Sequence, residues 1–382
     1  MIRLVQLQEP WALIAILAST EKRFLNSFKA KLAFDLAMEA LSNGQRLIYL
    51  DTGGGFKSMA GNTVRALGYQ VHGDRSQLEI FDVPSPKLTP SKVLVDVMSV
   101  GLNPLDYRIR RGEMGPIGRL RPVSVTASDF AGVVRDVGQK VGEFKVGQRV
   151  YGMGFQPTAG VAMETISVSP KIIAPIPKAL SFVEASVVPL AALTAYQALI
   201  HIGELTQGKR VLINGASGGV GTFATQIAAA FGAEVTAVTS HRNLDWMHSL
   251  GARDVIDYTV EDSCDGASRY DLFFDCYGNR RYDEAARVLE NGGIYISTIP
   301  ALRTFRWQFQ SFFRKTKSRV VIVRSDRADL DALGRMIDVG QVRPIVQRSY
   351  PLAQFRDAYA ALESKRTKGK IAISLRALPN EN

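Results

Sequence analysis

Cysteine is nearly missing from this chain: Cys264 and Cys276 are the only two among 382 residues. Neither a disulfide framework nor a four-thiolate zinc site can be assembled from them, and a reducing compartment, the cytoplasm, is the expected location. Histidine is scarce as well. His72, His201, His241 and His248 lie far apart with no ligand spacing, and His201 and His248 fall in expected helices, where a packed or surface role fits; no metal is expected. Long apolar runs are also lacking. The longest near the N-terminus, Trp11 to Ala18, is far below the roughly 20 residues that span a bilayer, and its nearly uncharged lead is unlike a secretory signal.

What is present fits a globular protein of enzyme-like composition. Hydrophobic residues make up 46% and charged residues 22%, with 33 Gly, which excludes disordered, collagenous and coiled-coil classes. Basic residues exceed acidic ones, 47 to 36, a net +11. That excess is local: Arg303, Arg306, Arg314, Lys315, Lys317, Arg319, Arg324 and Arg327 face a single acid, Asp326, across the same stretch.

The chain divides by texture. Residues 1–63 form an extension in which Phe24, Leu25, Phe28, Leu32 and Leu36 recur at helical spacing, with Asn43-Gly44 as a stop and Asp51 to Gly55 as a break. A helical arm and a poorly folding leader both fit, and Met59 allows a later natural start. From Arg65, short strands punctuated by Gly and Pro suggest a partly open barrel: Val93 to Val97, Gly132–Val137, Arg149–Tyr151, Ala162–Val168 and Ile172–Pro175. A helix-rich stretch, Val183 to Ile202, leads into α/β alternation. Strands are expected at Arg210–Asn214, Glu234–Ser240, Val255–Ile256, Leu272–Cys276 and Ile294–Thr298. Helices are expected at Gly221–Phe231, Leu244–Leu250, through Ala285–Leu289 and at Asp329–Val339. Strands separated by helices mean a parallel, doubly wound sheet. Lys370 to Leu375 is a strand that completes the first domain, giving expected domains of 64–190, 191–328 and 329–382.

The informative segment is Val211-Leu-Ile-Asn-Gly-Ala-Ser-Gly-Gly-Val-Gly221. Gly215, Ala216, Ser217, Gly218, Gly219, Val220 and Gly221 follow an apolar strand and open a helix, where backbone amides and the helix dipole can hold a pyrophosphate. At the end of the second strand stands Thr239-Ser240-His241-Arg242, where an NAD enzyme would place a carboxylate on the ribose 2′-hydroxyl. A carboxylate repels a 2′-phosphate, whereas a hydroxyl and a guanidinium can bind it, so NADPH is favoured.

At these residues the chain resembles the medium-chain dehydrogenase/reductase superfamily, in its zinc-independent quinone oxidoreductase (zeta-crystallin-like) branch, over about residues 64–376. The motifs run in family order: Gly101-Leu-Asn-Pro-Leu-Asp-Tyr-Arg-Ile-Arg-Arg-Gly112, Ala131 to Gly138, Val146 to Gly152, Ala192-Leu-Thr-Ala-Tyr-Gln197, the glycine loop, Leu250-Gly-Ala-Arg-Asp-Val-Ile-Asp-Tyr258 and Gly369-Lys-Ile371. The resemblance implies an α/β chain in which a GroES-like catalytic domain is interrupted by a Rossmann domain. Where the zinc enzymes carry a catalytic cysteine, this chain has Asn103-Pro104. The resemblance further implies that Asn103 binds the nicotinamide ribose or orients the acceptor, that Tyr107 donates to the reduced oxygen, that Thr194 and Tyr196 face the cofactor, and that Ser240, Arg242 and Tyr258 form the 2′-phosphate pocket. Asp106 and Tyr107 have a second reading as braces of the loop, and Thr194 and Tyr196 as interdomain packing.

Without a metal to polarise a carbonyl, the expected chemistry is hydride delivery from NADPH to a small, hydrophobic, electron-poor acceptor, a quinone or α,β-unsaturated carbonyl. An enoyl-thioester or 2-alkenal reductase is the second enzyme reading, and an NADPH-binding protein acting at a membrane or RNA surface the third. Phe305, Trp307, Phe309, Phe312 and Phe313 interleave the basic stretch. They fit a pocket wall, a packed face beneath a solvated basic one, or a weak contact of Arg303–Arg327 with anionic membrane that would keep the protein peripheral. Nucleic acid is disfavoured because no dedicated module accompanies the stretch. A homodimer is compatible with the sequence.

Overall fold

A computed structural model describes residues 62–114, 123–154 and 160–376, together with the backbone of 48–50 and 56–58. The helical arm expected over Phe24 to Leu36 lies outside the described residues. Two units separate, one of residues 1–63 with 83–85 and one of 64–82 with 86–382. In the first, Ile48–Leu50 pairs antiparallel with Phe56–Ser58. The larger unit carries everything that follows.

A seven-stranded sheet runs Ile173–Pro175, Arg149–Met153, Asp129–Val137, Val93–Leu102, Lys370–Ser374, Val346–Pro351, with Thr165–Val168 also on Val93–Leu102. One edge of Val93–Leu102 is shared: Val93 to Asp96 takes Thr165–Val168, and Ser99 to Leu102 takes Ile371 to Ser374. Two partners on one edge force the sheet to bend, which is how a partly open barrel arises. Val93, Val95 and Val97 are fully buried on alternate positions, the period-2 pattern of a strand with one face in a core.

The second sheet has six parallel strands in the order Asp254–Asp257, Glu234–Thr239, Arg210–Asn214, Tyr270–Asp275, Leu289–Ser297, Lys317–Val320. Sequence order reverses on either side of Arg210–Asn214, the switch point at which doubly wound sheets bind ligands. Val211, Leu212 and Ile213 are all buried, as a central strand covered on both faces requires. The helix Gly219–Ala230 lays Phe223, Ala224, Ile227 and Ala228 on the sheet. The same core includes Met98, Ala131 and Tyr151 of the first sheet, and the Tyr151 hydroxyl donates to the Leu330 carbonyl at 2.8 Å.

Two local expectations change. The helix expected through Ala285–Leu289 is only Tyr282–Ala285, and Leu289 already belongs to a strand. A register shift lets Leu289 rejoin the ladder opposite Tyr270, with the Gly292-Gly293 pair absorbing the irregularity. The stretch Val183 to Ile202 divides into Phe182–Ser186, Pro189–Tyr196 and a π-helical turn, Gln197–Ile202. That wider turn serves Asp329, which accepts from Gln197 Nε2 at 2.9 Å and faces His201 Nε2 at 2.9 Å.

Ile373 is fully buried in the strand that returns to the first sheet. Ile373→Ala should cost about 2–5 kcal/mol through lost contact and residual cavity, read as a lower urea midpoint. A loss below about 0.5 kcal/mol would mean that this strand is not integral to the sheet.

Candidate active site

The glycine loop begins where Asn214 ends the central strand. Gly215 takes φ +78°, a left-handed conformation costly for a side chain. The Gly218 N–H closes the turn onto the Gly215 carbonyl at 3.1 Å. A Cβ on Gly221 would stand 2.3 Å from the Gly215 oxygen and 2.6 Å from the Ala216 Cα, so only glycine lets the helix start this close to the strand. Gly218 caps the helix without any side-chain hydrogen bond. First-turn N–H groups of a helix opened in this way are the kind that can hold an anion such as a pyrophosphate. Ala216 is buried and donates to Val238 O at 3.1 Å, pinning the loop to the neighbouring strand.

At the ends of the next two strands, Thr239 and Asp257 are register partners, and the Tyr258 N–H donates to Thr239 O at 3.0 Å. Ser240, Arg242 and Tyr258 therefore gather at one sheet end, with Arg242 and Tyr258 exposed. Asn243 Nδ2 reaches Ser240 Oγ at 3.4 Å. Sequence reasoning passed over Asp257 here. His241 Nδ1 lies 3.3 Å from its carboxylate, and the Thr259 hydroxyl and N–H hold Asp257 below the usual carboxylate range.

The glycine loop is joined to the first sheet by the returning strand. The Gly369 N–H donates to Ser217 O at 3.1 Å, and a Cβ on Gly219 would meet the Lys370 stem at 2.8 Å. Lys370 then turns inward. Its Nζ donates to Leu102 O at 3.0 Å and to Asn103 Oδ1, and lies 3.5 Å from Asp129 Oδ2. Asn103 Nδ2 donates to Asp129 Oδ2 at 2.9 Å, while Asp129 Oδ1 accepts from the Leu190 N–H at 2.8 Å. Asp106 accepts from the Asn103 N–H at 2.8 Å, starting the helix Pro104–Arg110. All four side chains are buried.

Burial dominates the electrostatics. It pushes Asp106 up to about 7 against the hydrogen bond from the Asn103 backbone, and the nearby Asp129 charge adds to the rise. It raises Asp129 while Lys370 and Asn103 oppose it. It lowers Lys370, opposed first by Asp129. Lys370 and Asp129 were overlooked as site residues in the sequence. The available signal was a charged residue at the head of each of two strands that continue with uncharged residues, Asp129-Phe-Ala-Gly-Val-Val and Lys370-Ile-Ala-Ile.

The structure brings Asn103 within two residues' reach of the glycine loop through Gly369 and Lys370. Tyr107, one turn along from Asn103, packs in the apolar core with Val100, Leu102 and Phe130, its ring centre 5.0 Å from the Arg111 guanidinium. Thr194 is buried and its hydroxyl donates to Leu190 O at 2.7 Å within its own helix. Tyr196 packs edge-on against His201 at 5.6 Å. Among the described residues no three His, Cys, Asp or Glu side chains are grouped to hold a metal ion.

Residues 89–178 match the family model of the alcohol dehydrogenase GroES-like domain, and residues 250–373 that of the zinc-binding dehydrogenases. A 2-methylene-furan-3-one reductase from Solanum lycopersicum is 32% identical over 81% of this chain and 79% of that protein. The chloroplastic NADPH-dependent alkenal/one oxidoreductase of Arabidopsis thaliana is 30% identical, over 79% of this chain and 78% of that one. The solved quinone oxidoreductase from Coxiella burnetii superposes with a TM-score of 0.75 at 27% identity, covering 82% of this chain and all of that one.

The raised Asp106 yields a pH signature. Folded Asp106 keeps its proton to about pH 7, whereas in the unfolded chain an aspartate releases it near about pH 4. Protons are therefore bound preferentially by the native state in that window, and wild-type stability falls as pH rises through it, levelling above. Asp106→Asn removes this slope. Urea unfolding at stepped pH should show the variant gaining on the wild type from about pH 4 to about pH 7 and then running parallel. A pH-independent difference would mean that Asp106 does not hold the proton.

Proposed function

Because the chain belongs to the medium-chain dehydrogenase/reductase superfamily, in its quinone oxidoreductase branch, we propose that it is an NADPH-dependent reductase of quinones or α,β-unsaturated carbonyls. The observation that carries this reading is the uncapped glycine-loop helix, tied through Gly369 and Lys370 to a buried polar site at Asn103. Bound NADPH supplies the hydride.

The chain's own residues bind, orient and exclude water. The first turn of the helix Gly219–Ala230, at the end of the Gly215–Gly221 loop, holds the pyrophosphate by backbone N–H groups, and Ser240, Arg242 and Tyr258 receive the 2′-phosphate. Asn103 is held by both ends of its amide: Oδ1 accepts from Lys370, and one N–H goes to Asp129. Its second N–H is uncommitted among the described residues and is the group it has to offer the nicotinamide ribose or an acceptor oxygen. An acceptor that takes hydride at carbon and delocalises charge onto oxygen needs alignment and one such hydrogen bond, so a rigidly fixed donor suits the reaction. Tyr107, sunk in the core beside Arg111, suits a bracing role, and Thr194 supports the helix start that Asp129 anchors through Leu190. The names of two relatives, a furanone reductase and an alkenal/one oxidoreductase, favour enones as the first acceptors to try beside quinones.

Titrating the protein with NADPH should shift the cofactor's fluorescence, and a panel of quinones, 2-alkenals and cyclic enones should consume it. No shift and no turnover would overturn the reading. Arg242→Glu should raise the KM for NADPH roughly ten- to a hundred-fold, the worth of a charge-assisted hydrogen bond, while the KM for NADH moves little. Equal losses with both cofactors would remove Arg242 from the 2′-phosphate site.

A further inference from the structure

Lys368 stands where the returning strand meets the glycine loop. The next residue, Gly369, donates its N–H to Ser217 O at 3.1 Å and bridges Gly218. Gly369 takes φ +70°, and a Cβ on it would stand 2.3 Å from the Ile345 oxygen, so the chain turns there in a way a side chain would obstruct. The lysines on either side of this glycine part company. Lys370 enters the buried network around Asn103 and Asp129. Lys368 instead lays its ammonium over the indole of Trp246, 5.7 Å from the ring centre. Its backbone is fixed as well, the N–H donating to Gln347 Oε1 at 2.7 Å.

Trp246 belongs to the helix Leu244–Ser249, which follows directly on the 3-10 turn His241–Asn243. Arg242 and Trp246 are about one helical turn apart, and Trp246 packs against the core, so the ring beneath Lys368 is a fixed platform. Arg242 and Lys368 thus approach one region from two sides, the first from the sheet end and the second from the segment that lies along the glycine loop. Neither has an ion-pair partner among the described residues. Asp257, the acid at this strand end, is taken by His241 and Thr259. A half-buried ammonium steadied by an indole but left without a counter-charge is short of one anion. Asn243 prepares the same region from below: its Nδ2 donates to Ser240 Oγ at 3.4 Å, which leaves the hydroxyl's own hydrogen to donate elsewhere.

We propose that Lys368 is a second cation for the 2′-phosphate of NADPH, so that this phosphate is gripped both from the parallel sheet and from the strand that completes the barrel. The Arg242 guanidinium and the Lys368 ammonium together match a phosphate dianion. This role rests on the NADPH reading above and is independent of which acceptor is reduced. The pyrophosphate is the other anion the same ammonium could meet, and NADH, which carries it without the 2′-phosphate, tells the two apart.

The test is direct binding to the full chain: calorimetric titration with 2′,5′-ADP and 5′-AMP, and fluorescence titration with NADPH and NADH. Lys368→Gln should weaken 2′,5′-ADP and NADPH roughly ten-fold, the worth of one charge-assisted hydrogen bond, and leave 5′-AMP and NADH within about two-fold. Lys368→Arg should keep most of the NADPH affinity. Trp246→Leu, which retains apolar packing but removes the ring, should show a smaller loss of the same NADPH-selective kind. Equal weakening with NADPH and NADH would move Lys368 to the pyrophosphate, and unchanged binding of both would leave it a surface residue; either result overturns the proposal while the reductase reading stands. An NADPH-selective loss in a protein that reduces no quinone or enone would keep Lys368 at the 2′-phosphate and sink the reductase reading. A wild-type chain that binds neither 2′,5′-ADP nor NADPH would overturn both.

Discussion

Lys370 is a cation almost sealed from water, and the arrangement around it follows from keeping it partnered. A buried charge that loses its partner costs several kcal/mol, whereas a satisfied one contributes little net stability. Its value here is positional. Lys370 can be satisfied only if the returning strand, the Leu102 carbonyl, the Asn103 amide and Asp129 meet at one point. Asp129 in turn fixes the start of Pro189–Tyr196 through Leu190. One ammonium thereby registers a loop, two strands and a helix drawn from distant parts of the chain.

A second constraint is steric and works from the opposite side. The glycine loop can approach Lys370 and the first strand of its own sheet only because three positions lack side chains: Gly215 for its backbone angle, Gly219 for the lysine stem and Gly221 for the turn. The polar network and the loop are thus two halves of one fit. Loosening either would move the Asn103 amide relative to whatever the loop holds, which is why a rigid scaffold suits a reaction that demands alignment more than acid strength.

Much of this was legible in the sequence where local pattern and global fold agree. The strand Arg210–Asn214 emerges with the expected bounds because its apolar run is short, central and bounded by glycine. Leu289–Ser297 was foreshortened to Ile294–Thr298, since its glycine pair looks like a turn and serves instead as an irregularity inside the strand. Lys370 and Asp129 were hidden for a different reason: a charged residue in a strand is usually an edge or surface position, and nothing local tells that the two will neutralise each other across the fold. The helix Leu302–Gln310 shows the limit of periodicity itself. The spacing of its phenylalanines defines a face, but the assumption that an apolar face turns inward is a statement about packing partners, and here Phe305 and Phe309 are exposed while Thr304, its hydroxyl bonded to the Ile299 carbonyl, is buried.

The returning strand also dictates an order of events during synthesis. Lys370 and Leu102 are 268 residues apart, and until the later segment leaves the ribosome, the edge of Val93–Leu102 from Ser99 onward has no ladder partner. The six-stranded sheet is complete by Val320 and draws its strands from neighbouring stretches, so it can close first. The nascent first sheet must wait with an open edge, the state in which unpaired strands find wrong neighbours. Its last partner arrives carrying the lysine, so closing the barrel and setting the Asn103 amide become a single act.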